Sequence, residues 1–573
     1  MIRILPGVTL VLLALLTLIG CKPQPPRSSS VIDDVQQTRS DLDQAYDMLA
    51  RIDQFERTPA TLNVIAYLSN YLAEQQANKE WQPDSLVSRL PRVLRQQQPV
   101  EQLASMETQP SDSLYLEEAL LLRSIGNWVI ERPAPPALAA WLKTQEAQLG
   151  PEGTHDLAAA YALFDWTIRN LQLDPLRAPP QDVVGATGQE SANVPAPLRG
   201  LPGPGYVGIP WHVAMTGHGD AWQRARLFIL LARQQGIDVV MLAATDPNDA
   251  NKTRPWACGV LLGEDLYLFD PAIGLPIPGP DGQGIATLAQ VRDNPELLRA
   301  LDVDSDHKYP VTGEQVKSVT ALIDASLEAL SQRMQVLEHG LAGDRQLKLT
   351  VQPSELATRL RKSPGVSNVA IWPVAIEAAM FEIALYHLPQ FDPALRQQIL
   401  QDRMLFEQRN WQTQARYQHL RGHFSSKAGE RGAKELYLNA RIPDAAIEAL
   451  DHDRQLQQQI GILGELERRP TPEDRQAFLD SVKAGFRRGK EDCSLWMGLA
   501  HFETGDYDQA VVWLDQRTLK AAPNTHWKPI ANYNLGRAYE ALGYRELAQE
   551  SYLAVESEAT LGALLRAKRL QQK

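Results

Sequence analysis

The stretch GDAWQRARLFILLARQQGID, residues 219–238, determines the fold of the middle of this chain. Asp220 stands where a helix N-cap belongs, because its carboxylate can accept hydrogen bonds from the first free N–H groups of a helix. Residues 221–235 have the composition of a strong helix, and Gly236 is a typical residue at which a helix ends. The stretch therefore predicts a helix with a defined beginning and end.

The residues after this helix predict a small β-sheet. Residues 239–243 have the pattern of a strand, and residues 256–262 and 266–269 have the pattern of a hairpin. Before the helix lies a long loop rich in proline and glycine, at about 175–210, and loops of this length are usually functional or disordered. We expect residues 150–300 to form one α+β domain.

Three motifs in this block, taken in order, resemble the core of the transglutaminase-like superfamily. They are Phe164-Asp165-Trp166 in a predicted helix at 157–171, the stretch at 219–238, and Leu268-Phe269-Asp270-Pro271 after the hairpin. The resemblance implies a papain-like fold, in which a nucleophilic cysteine at a helix N-terminus packs against a sheet that supplies histidine and aspartate. In that family the thiolate attacks a glutamine or peptide carbonyl, and the histidine transfers the proton. Asp165 is expected on the solvated side of its helix.

The residues at the three catalytic positions predict that this chemistry has been lost. The nucleophile position is Ala221, which has neither a thiol nor a hydroxyl group. The histidine position lies near Trp256, and residues 219–306 contain no histidine. Only the aspartate position is filled, by Asp270. We therefore expect a catalytically degenerate domain, a pseudoenzyme.

Other residues leave open a different chemistry in the same expected cleft. Cys258 would lie near Asp270 across the hairpin, but a neighbouring carboxylate raises the pKa of a thiol, so packing is its simpler role. His212 and His218 could act as a displaced base or as metal ligands, although loop histidines are usually surface or cap residues and no third ligand is evident. The rest of the expected cleft is Trp211, Asp220, Trp222 and Trp256. The tryptophans could stack on a peptide or a sugar, although such residues more often belong to the core.

The N-terminus has the pattern of an exported lipoprotein. Residues 1–20 resemble a secretory signal peptide, since their apolar segment is shorter than the roughly twenty residues that span a bilayer. Leu18-Ile19-Gly20-Cys21 resembles the lipobox of bacterial lipoproteins, which implies that Cys21 carries a lipid with fatty acids such as palmitate. An ordinary signal peptide followed by a spare cysteine is the alternative. Residues 21–30 predict a flexible tether. In lipoproteins of bacteria with two membranes an aspartate after the lipidated cysteine implies retention in the inner membrane, so the resemblance together with Lys22 favours the outer membrane where there is one.

The blocks on either side of the α+β domain are predicted to be helical. Residues 31–140 form the first helical domain. Residues 310–470 form a mainly helical region, with a long helix at 314–340 and a short strand at 347–351. The expected fold class is a multidomain, mostly α protein in which a transglutaminase-like α+β domain lies between helical domains.

An internal repeat marks the C-terminal block, residues 480–573. Gly498, Gly505, Ala510 and Leu514 are followed 38 residues later by Gly536, Gly543, Ala548 and Tyr552. Together with Leu535 and Tyr539, this pattern resembles the tetratricopeptide (TPR) repeat. The resemblance implies a stack of antiparallel helix pairs that presents a protein-binding concavity. An unrelated pair of helical hairpins is the alternative.

Charge and cysteine content exclude several classes of function. The chain of 573 residues has 57 Lys and Arg against 69 Asp and Glu, a net charge of −12. This argues against nucleic-acid binding, which needs clustered positive charge. After Cys21 only Cys258 and Cys493 remain, too few for a disulfide framework or a cysteine zinc site, and no metal or cofactor is expected.

These features predict a membrane-anchored interaction or scaffold protein of the cell envelope. Its partners would be proteins or peptides bound by the TPR-like region, and the membrane would be held through Cys21. The alternative is an envelope hydrolase or acyl transferase of the same fold that uses a non-standard catalytic set. The absent nucleophile favours the first of these.

Overall fold

The computed structural model describes residues 40–96, 98–178, 202–246, 249–387, 393–427 and 429–572. The predicted signal peptide, Cys21 and the tether lie outside these residues, as does most of the loop at 175–210. Within the described part, every helix is too short or too polar to cross a membrane.

Helices make up most of the described chain. The helices that precede the sheet are α1 (Asp41–Leu49), α2 (Arg57–Glu74), α3 (Arg92–Arg95), α4 (Gln98–Glu101), α5 (Pro110–Val129), α6 (Pro136–Asn170, broken at Gly150), α7 (Pro210–Thr216) and α8 (Ala221–Gln234). Helices between strands of the sheet are α9 (Leu288–Asp293), α10 (Glu296–Arg299), α11 (Gly313–Val316), α12 (Gln332–Gly340) and α13 (Pro353–Leu360). Those that follow are α14 (Val374–His387), α15 (Pro393–Met404), α16 (Trp411–Leu420), α17 (Ala433–Ala440), α18 (Asp444–Ala449), α19 (Arg454–Gln459), α20 (Leu463–Glu467), α21 (Pro472–Glu503), α22 (Tyr507–Val511, continued by a π-helical segment Val512–Leu519), α23 (Lys528–Leu542), α24 (Arg545–Leu553) and α25 (Thr560–Gln572).

The described strands form one mixed sheet and one short pair. They are β1 (Gln172–Leu173), β2 (His218–Gly219), β3 (Val239–Asp246), β4 (Asp249–Leu262), β5 (Asp265–Asp270), β6 (Leu275–Pro276), β7 (Val319–Asp324) and β8 (Val366–Trp372). Strands β1 and β2 form the parallel pair, and the other six form a sheet in the order β6-β5-β4-β3-β7-β8. Within this sheet β7 and β8 are parallel, and the other pairs are antiparallel.

The helix and hairpin predicted around residues 219–271 are confirmed. Helix α8 begins at Ala221, and Gly236 follows it with a φ of +76°, a left-handed conformation that glycine adopts without strain. Strands β4 and β5 form the hairpin, whose turn includes Gly263 with a φ of +62°. These elements follow from local signals: a helix cap, a glycine after the helix, and a turn between apolar segments.

The prediction of one long helix at 314–340 is wrong. Its first part forms the short α11 and then β7, which pairs with β3 on one side and β8 on the other. The spacing of the apolar residues did not distinguish a helix from a strand here. β-Branched residues such as Val319 and Ile323 pack well in a sheet, and pairing with β3 and β8 stabilises the strand. The strand predicted at 347–351 is absent from the described chain, although the Val351 N–H donates to the Ala329 carbonyl at 3.2 Å.

The chain divides into two compact units that do not follow the predicted boundaries. One unit takes the chain up to Tyr71 together with Gln397–Trp527, and the other takes Leu72–Arg396 and Lys528–Lys573. The second unit, the sheet unit, contains β7 and β8, so the sheet extends well beyond residue 300. It also contains α5, which was expected in a separate helical domain but packs against α8. The two copies of the C-terminal repeat fall in different units.

Each unit has its own apolar core. In the sheet unit, buried residues of the strands, such as Leu242, Leu268, Ile323 and Ile371, form one continuous cluster. In the other unit a separate cluster includes Ile447 and Phe478. Burial of these side chains is the main favourable term in folding.

Candidate functional site

Ala221 lies at the start of α8, where the sequence predicts it. The Asp220 carboxylate caps this helix, because its Oδ1 accepts hydrogen bonds from the backbone N–H groups of Trp222 and Gln223, both at 2.9 Å. The Gln223 side chain accepts a hydrogen bond from the Asp220 N–H at 2.9 Å, which completes a capping box. Burial raises the pKa of Asp220, while its hydrogen bonds from backbone N–H groups oppose the rise. Asp220 therefore has the structural role of a helix cap.

The segment before α7 covers the start of α8. The Gly205 N–H donates to Asp220 Oδ2 at 2.7 Å. Gly205 has a φ of +79°, and a Cβ at this residue would lie 2.9 Å from Trp222 Cβ, so only glycine fits here without strain. The Trp222 ring also packs edge-on against Trp372, at 6.1 Å between centroids. Ala221 itself is half-buried, and it does not line either of the two cavities described below.

Trp256 and Asp270, which the resemblance aligns with a catalytic histidine and aspartate, are joined by a third residue that the sequence did not indicate, Tyr309. Trp256 Nε1 donates to the Tyr309 hydroxyl at 2.6 Å, and this hydroxyl donates a short hydrogen bond to Asp270 Oδ2. Asp270 Oδ1 accepts a hydrogen bond from the Ala272 N–H at 2.8 Å. All three side chains of this network are buried. The bonds to Tyr309 occupy the indole N–H of Trp256 and one carboxylate oxygen of Asp270.

Burial sets the protonation states in this network. Burial raises the pKa of Asp270 to about 6, although the Tyr309 hydroxyl and the backbone N–H groups oppose the rise. Burial, together with the negative charge of Asp270, raises the pKa of Tyr309 well above its usual value. The indole N–H of Trp256 is a donor only and has no lone pair with which to accept a proton. Near neutral pH Tyr309 and Trp256 therefore keep their protons, whereas Asp270 titrates in mild acid.

Cys258 is a packing residue. It pairs directly with Phe269 in the hairpin, one residue before Asp270, and it is fully buried. Burial and the charge of Asp270 raise its pKa well above the usual value, so its thiol is a poor nucleophile. Cys493 is also buried, and neither cysteine forms a disulfide. The interpretation of both as isolated buried thiols is confirmed.

Trp211 and His212 lie in the interior of the sheet unit and do not line a cleft. Trp211 is 1% exposed, and its backbone N–H donates to Glu118 Oε2 at 2.9 Å. Burial raises the pKa of Glu118 to about 7. His212 is 7% exposed, with its Nδ1 at 3.9 Å from Glu382 Oε1. Every residue of α7 is buried, so these two side chains pack in the interior, which is the alternative role that the sequence left open for such tryptophans.

His218 forms a close pair with Asp174, which sequence reasoning missed. His218 Nδ1 lies 2.7 Å from Asp174 Oδ2, and the side chains are 29% and 39% exposed. The pairing of β1 with β2 brings the two together, since Asp174 directly follows β1 and His218 begins β2. Among the described residues, no group of three or more His, Cys, Asp and Glu side chains is placed to hold a metal ion.

Asp165 is not solvated, contrary to expectation. Its carboxylate accepts hydrogen bonds from Arg169 Nε at 2.8 Å and from Arg537 Nη1 at 2.7 Å. Burial alone would raise the pKa of Asp165, but the positive charges of Arg537 and Arg169 outweigh it and hold this pKa far below its usual value. Asp165 therefore anchors a buried ion-pair network in the sheet unit.

A small cavity lies beside Arg224, in the first turn of α8. Arg224 donates to the Pro271 carbonyl at 3.4 Å, which joins this turn to the end of β5. The cavity next to it has a volume of about 20 Å³ and is bordered by Ile273 and Tyr533, among others. A volume of this size holds a single water molecule.

Comparison with known proteins gives no relative for this chain. No protein-family model matches it, and no match was found among curated proteins or solved structures. The resemblances to the transglutaminase-like superfamily and to the TPR repeat rest on their sequence motifs.

Proposed function

We propose that this protein is a membrane-anchored interaction protein of the cell envelope, whose transglutaminase-like domain carries no catalysis. The supporting observation is the occupation of the three catalytic positions. Ala221 offers no nucleophile, and Trp256 and Asp270 are bonded to Tyr309 in a buried network. A site of this kind can support a fold or bind a partner, but it has no group that could form an acyl intermediate.

The C-terminal helix pairs support a role in protein binding. In each pair a glycine permits close contact: a Cβ at Gly498 would lie 2.8 Å from the Leu514 side chain, and one at Gly536 would lie 2.6 Å from the Tyr552 ring. This is the contact that the repeat pattern predicts. Tyr544 and Leu547, at the start of α24, are 52% and 43% exposed and lie three residues apart, on one helical face. Exposed aromatic and apolar side chains of this kind are common in protein interfaces.

The absence of catalysis is tested with the purified full chain. We expect no release of ammonia from glutamine-containing peptides and no labelling of Cys258 or Cys493 by iodoacetamide in the folded protein, because both thiols are buried. Ala221→Cys should become labelled, since this half-buried position begins a helix, whereas the matched variant Ala225→Cys should stay unlabelled, since Ala225 is fully buried. Ammonia release by the unmodified protein would overturn the proposal.

The interaction role is tested by capture of partners from an envelope extract. The double variant Tyr544→Ser, Leu547→Ser should lose a partner that the unmodified chain retains, because it removes apolar contact area from α24. Leu438→Ser is the matched control, since Leu438 is 51% exposed on α17 and lies outside the proposed surface. Equal retention by all three proteins would contradict the assignment of this surface.

The anchor is proposed from the lipobox alone. Expressed in a bacterial host, the protein should incorporate labelled palmitate and sediment with membranes, and Cys21→Ser should abolish both, because it removes the thiol that takes the lipid. Two or three acyl chains give stable anchoring where a single chain is marginal. An unchanged membrane fraction for Cys21→Ser would argue against this anchor.

One observation favours a second candidate function, hydrolysis that does not need a cysteine. The His218–Asp174 pair has the geometry in which a carboxylate orients a histidine as general base, and it lies just before the start of α8. Hydrolysis of peptide or cell-wall substrates that disappears in both His218→Ala and Asp174→Asn would establish this alternative. Hydrolysis that is absent from the unmodified protein would exclude it.

A further inference from the structure

A second and larger cavity lies in the sheet unit, away from the three catalytic positions. It has a volume of about 240 Å³. Three segments border it: the residues before Leu86, the start of α12, and the residues before α13. Its lining residues are Trp81, Gln82, Asp84, Ala329, Leu330, Ser331, Gln335, Thr350, Val351 and Gln352.

Hydrogen bonds between these segments hold the cavity in shape. The Gln332 side chain donates to the Asn78 carbonyl at 3.1 Å, which ties α12 to the first segment. The Thr350 N–H donates to Glu338 Oε2 at 2.6 Å, which ties α12 to the third. Because the walls are already ordered, less conformational entropy is lost when a ligand binds.

An indole ring in fixed orientation forms one wall of the cavity. Part of the Trp81 ring packs against the core of the sheet unit, and the ring is half-buried. Its Nε1 donates to Gln335 Oε1 at 3.1 Å, which fixes the plane of the ring. The π face of an aromatic ring carries partial negative charge and attracts the weakly positive hydrogens of C–H groups.

The polar groups of the lining are neutral amides and hydroxyls. The exposed side chains of Gln82 and Gln352 make no hydrogen bond to a described residue, so both donors and both acceptors remain for a ligand. The one charged lining residue, Asp84, is already satisfied, because its oxygens accept from the Leu86 N–H at 2.8 Å and from the Ser354 N–H at 2.8 Å. No described lysine or arginine lines the cavity, so an anion would find no counter-charge there.

We propose that this cavity binds a neutral saccharide, with one sugar ring stacked on Trp81. A sugar ring presents C–H groups on its faces and hydroxyl groups around its edge, and the cavity is lined by an indole ring and by amide side chains. Its volume lies below the roughly 300–1,000 Å³ of sites for drug-sized ligands, which suits one ring at the end of a chain. The inference is independent of the function proposed above, because the cavity shares no residue with the degenerate triad or with α24.

The test uses the full chain in a detergent without a sugar headgroup, so that the detergent itself does not compete. The probes are the trisaccharides of N-acetylglucosamine, of β-linked glucose and of α-linked glucose, followed by saturation-transfer NMR. Transfer to ring C–H protons is expected for at least one of them. Trp81→Ala should weaken its binding roughly tenfold, which corresponds to the loss of one aromatic contact. Trp141→Ala is the matched control, since Trp141 is a half-buried tryptophan that packs on Tyr267 outside the lining.

A second pair of variants keeps the test decisive if Trp81→Ala fails to fold. Gln82→Ala and Gln352→Ala alter exposed side chains, so both should keep the melting temperature of the unmodified chain and weaken binding severalfold. The absence of transfer to all three probes, or undiminished transfer in the glutamine variants, would overturn the proposal. So would displacement of the saccharide by inorganic phosphate, which would indicate an anion site.

Discussion

Several buried carboxyl groups hold their protons more tightly than usual. Burial raises the pKa of Asp270 and of Asp492 to about 6, and that of Glu118 to about 7. Each group accepts hydrogen bonds that limit the rise, such as that from Trp527 Nε1 to Asp492 at 2.7 Å. A buried carboxyl that is neutral in mild acid costs less to bury than its ionised form. These residues therefore link folding to the uptake of protons.

Asp270→Asn should remove the pH-dependent contribution that Asp270 makes to the free energy of unfolding. The pKa of Asp270 is about 6 in the folded protein, above the ordinary 3.8 of the unfolded chain. Its contribution to stability is therefore fully present below about pH 4 and is lost as the pH rises towards 6, by at most about 3 kcal/mol. The variant lacks this loss, so its stability relative to the unmodified protein should increase between pH 4 and 6 and stay constant above. Urea unfolding across that range measures the difference in unfolding free energy between the variant and the unmodified protein. If this difference were independent of pH, Asp270 would have an ordinary pKa.

At the scale of single elements, the start of α8 depends on Asp220 more than an ordinary helix does on its cap. The Asp220 carboxylate accepts hydrogen bonds from two backbone N–H groups of its own helix and from the backbone N–H of Gly205. Loss of a cap usually costs about 0.5–2 kcal/mol, and a buried N–H left without a partner adds to this.

Asp220→Ala should therefore lower the free energy of unfolding by about 2 kcal/mol or more, because it removes the cap and leaves the Gly205 N–H without its acceptor. Thr471→Ala is the matched control, since Thr471 caps α21 by accepting from Asp474 N–H at 3.0 Å at an exposed site. Denaturant unfolding of both variants gives the comparison. If both variants lost the same free energy of unfolding, Asp220 would act only as a helix cap, and its bond to Gly205 would contribute nothing.

The helix pair α23–α24 depends on a glycine at its closest point. Gly536→Ala should destabilise the protein by about 1–3 kcal/mol, because the added methyl group would lie 2.6 Å from the buried Tyr552 ring. Gly464→Ala is the control, since that glycine lies in α20 with open space around its Cβ position, and alanine is the better helix former. Thermal unfolding measures both, and a silent Gly536→Ala would contradict the close contact.

At the scale of the whole molecule, the last helices belong to the sheet unit through buried polar contacts. Arg537 on α23 binds the Asp165 carboxylate, and Asn534 Nδ2 donates to the Arg169 carbonyl at 3.0 Å. A Cβ at Gly562 would lie 1.9 Å from the Ile273 carbonyl oxygen, so α25 approaches the chain just after β5. The C-terminal segment is therefore part of the fold that supports the candidate site.

The Asp165–Arg537 pair should be strongly coupled. A double-mutant cycle with Asp165→Ala and Arg537→Ala should give a coupling of about 1–3 kcal/mol, because their side chains are only 16% and 13% exposed. The side chains of the pair Glu314–Lys317 are 66% and 58% exposed, so this pair should show almost no coupling, since solvent screens its charges. Similar coupling in the two cycles would contradict a structural role for the buried network.

Local signals in the sequence were enough to predict several elements of the fold. The cap at Asp220, the glycine after α8 and the turn of the β4–β5 hairpin each depend on residues a few positions apart, so the order of the residues is enough to predict them. The absence of a nucleophile at Ala221 is likewise visible in the sequence, because it requires only the identity of one residue.

Tertiary structure alone decided which distant residues meet. Residues 319–324 form a strand because β3 and β8 pair with them, and Tyr309 joins Trp256 to Asp270 although no local pattern marks it. Arg537 neutralises Asp165 from 372 positions away, and Trp81 bonds Gln335 from 254 positions away. Periodicity and capping report on neighbours within one or two turns, whereas burial and charge pairing depend on how segments far apart in the chain pack together.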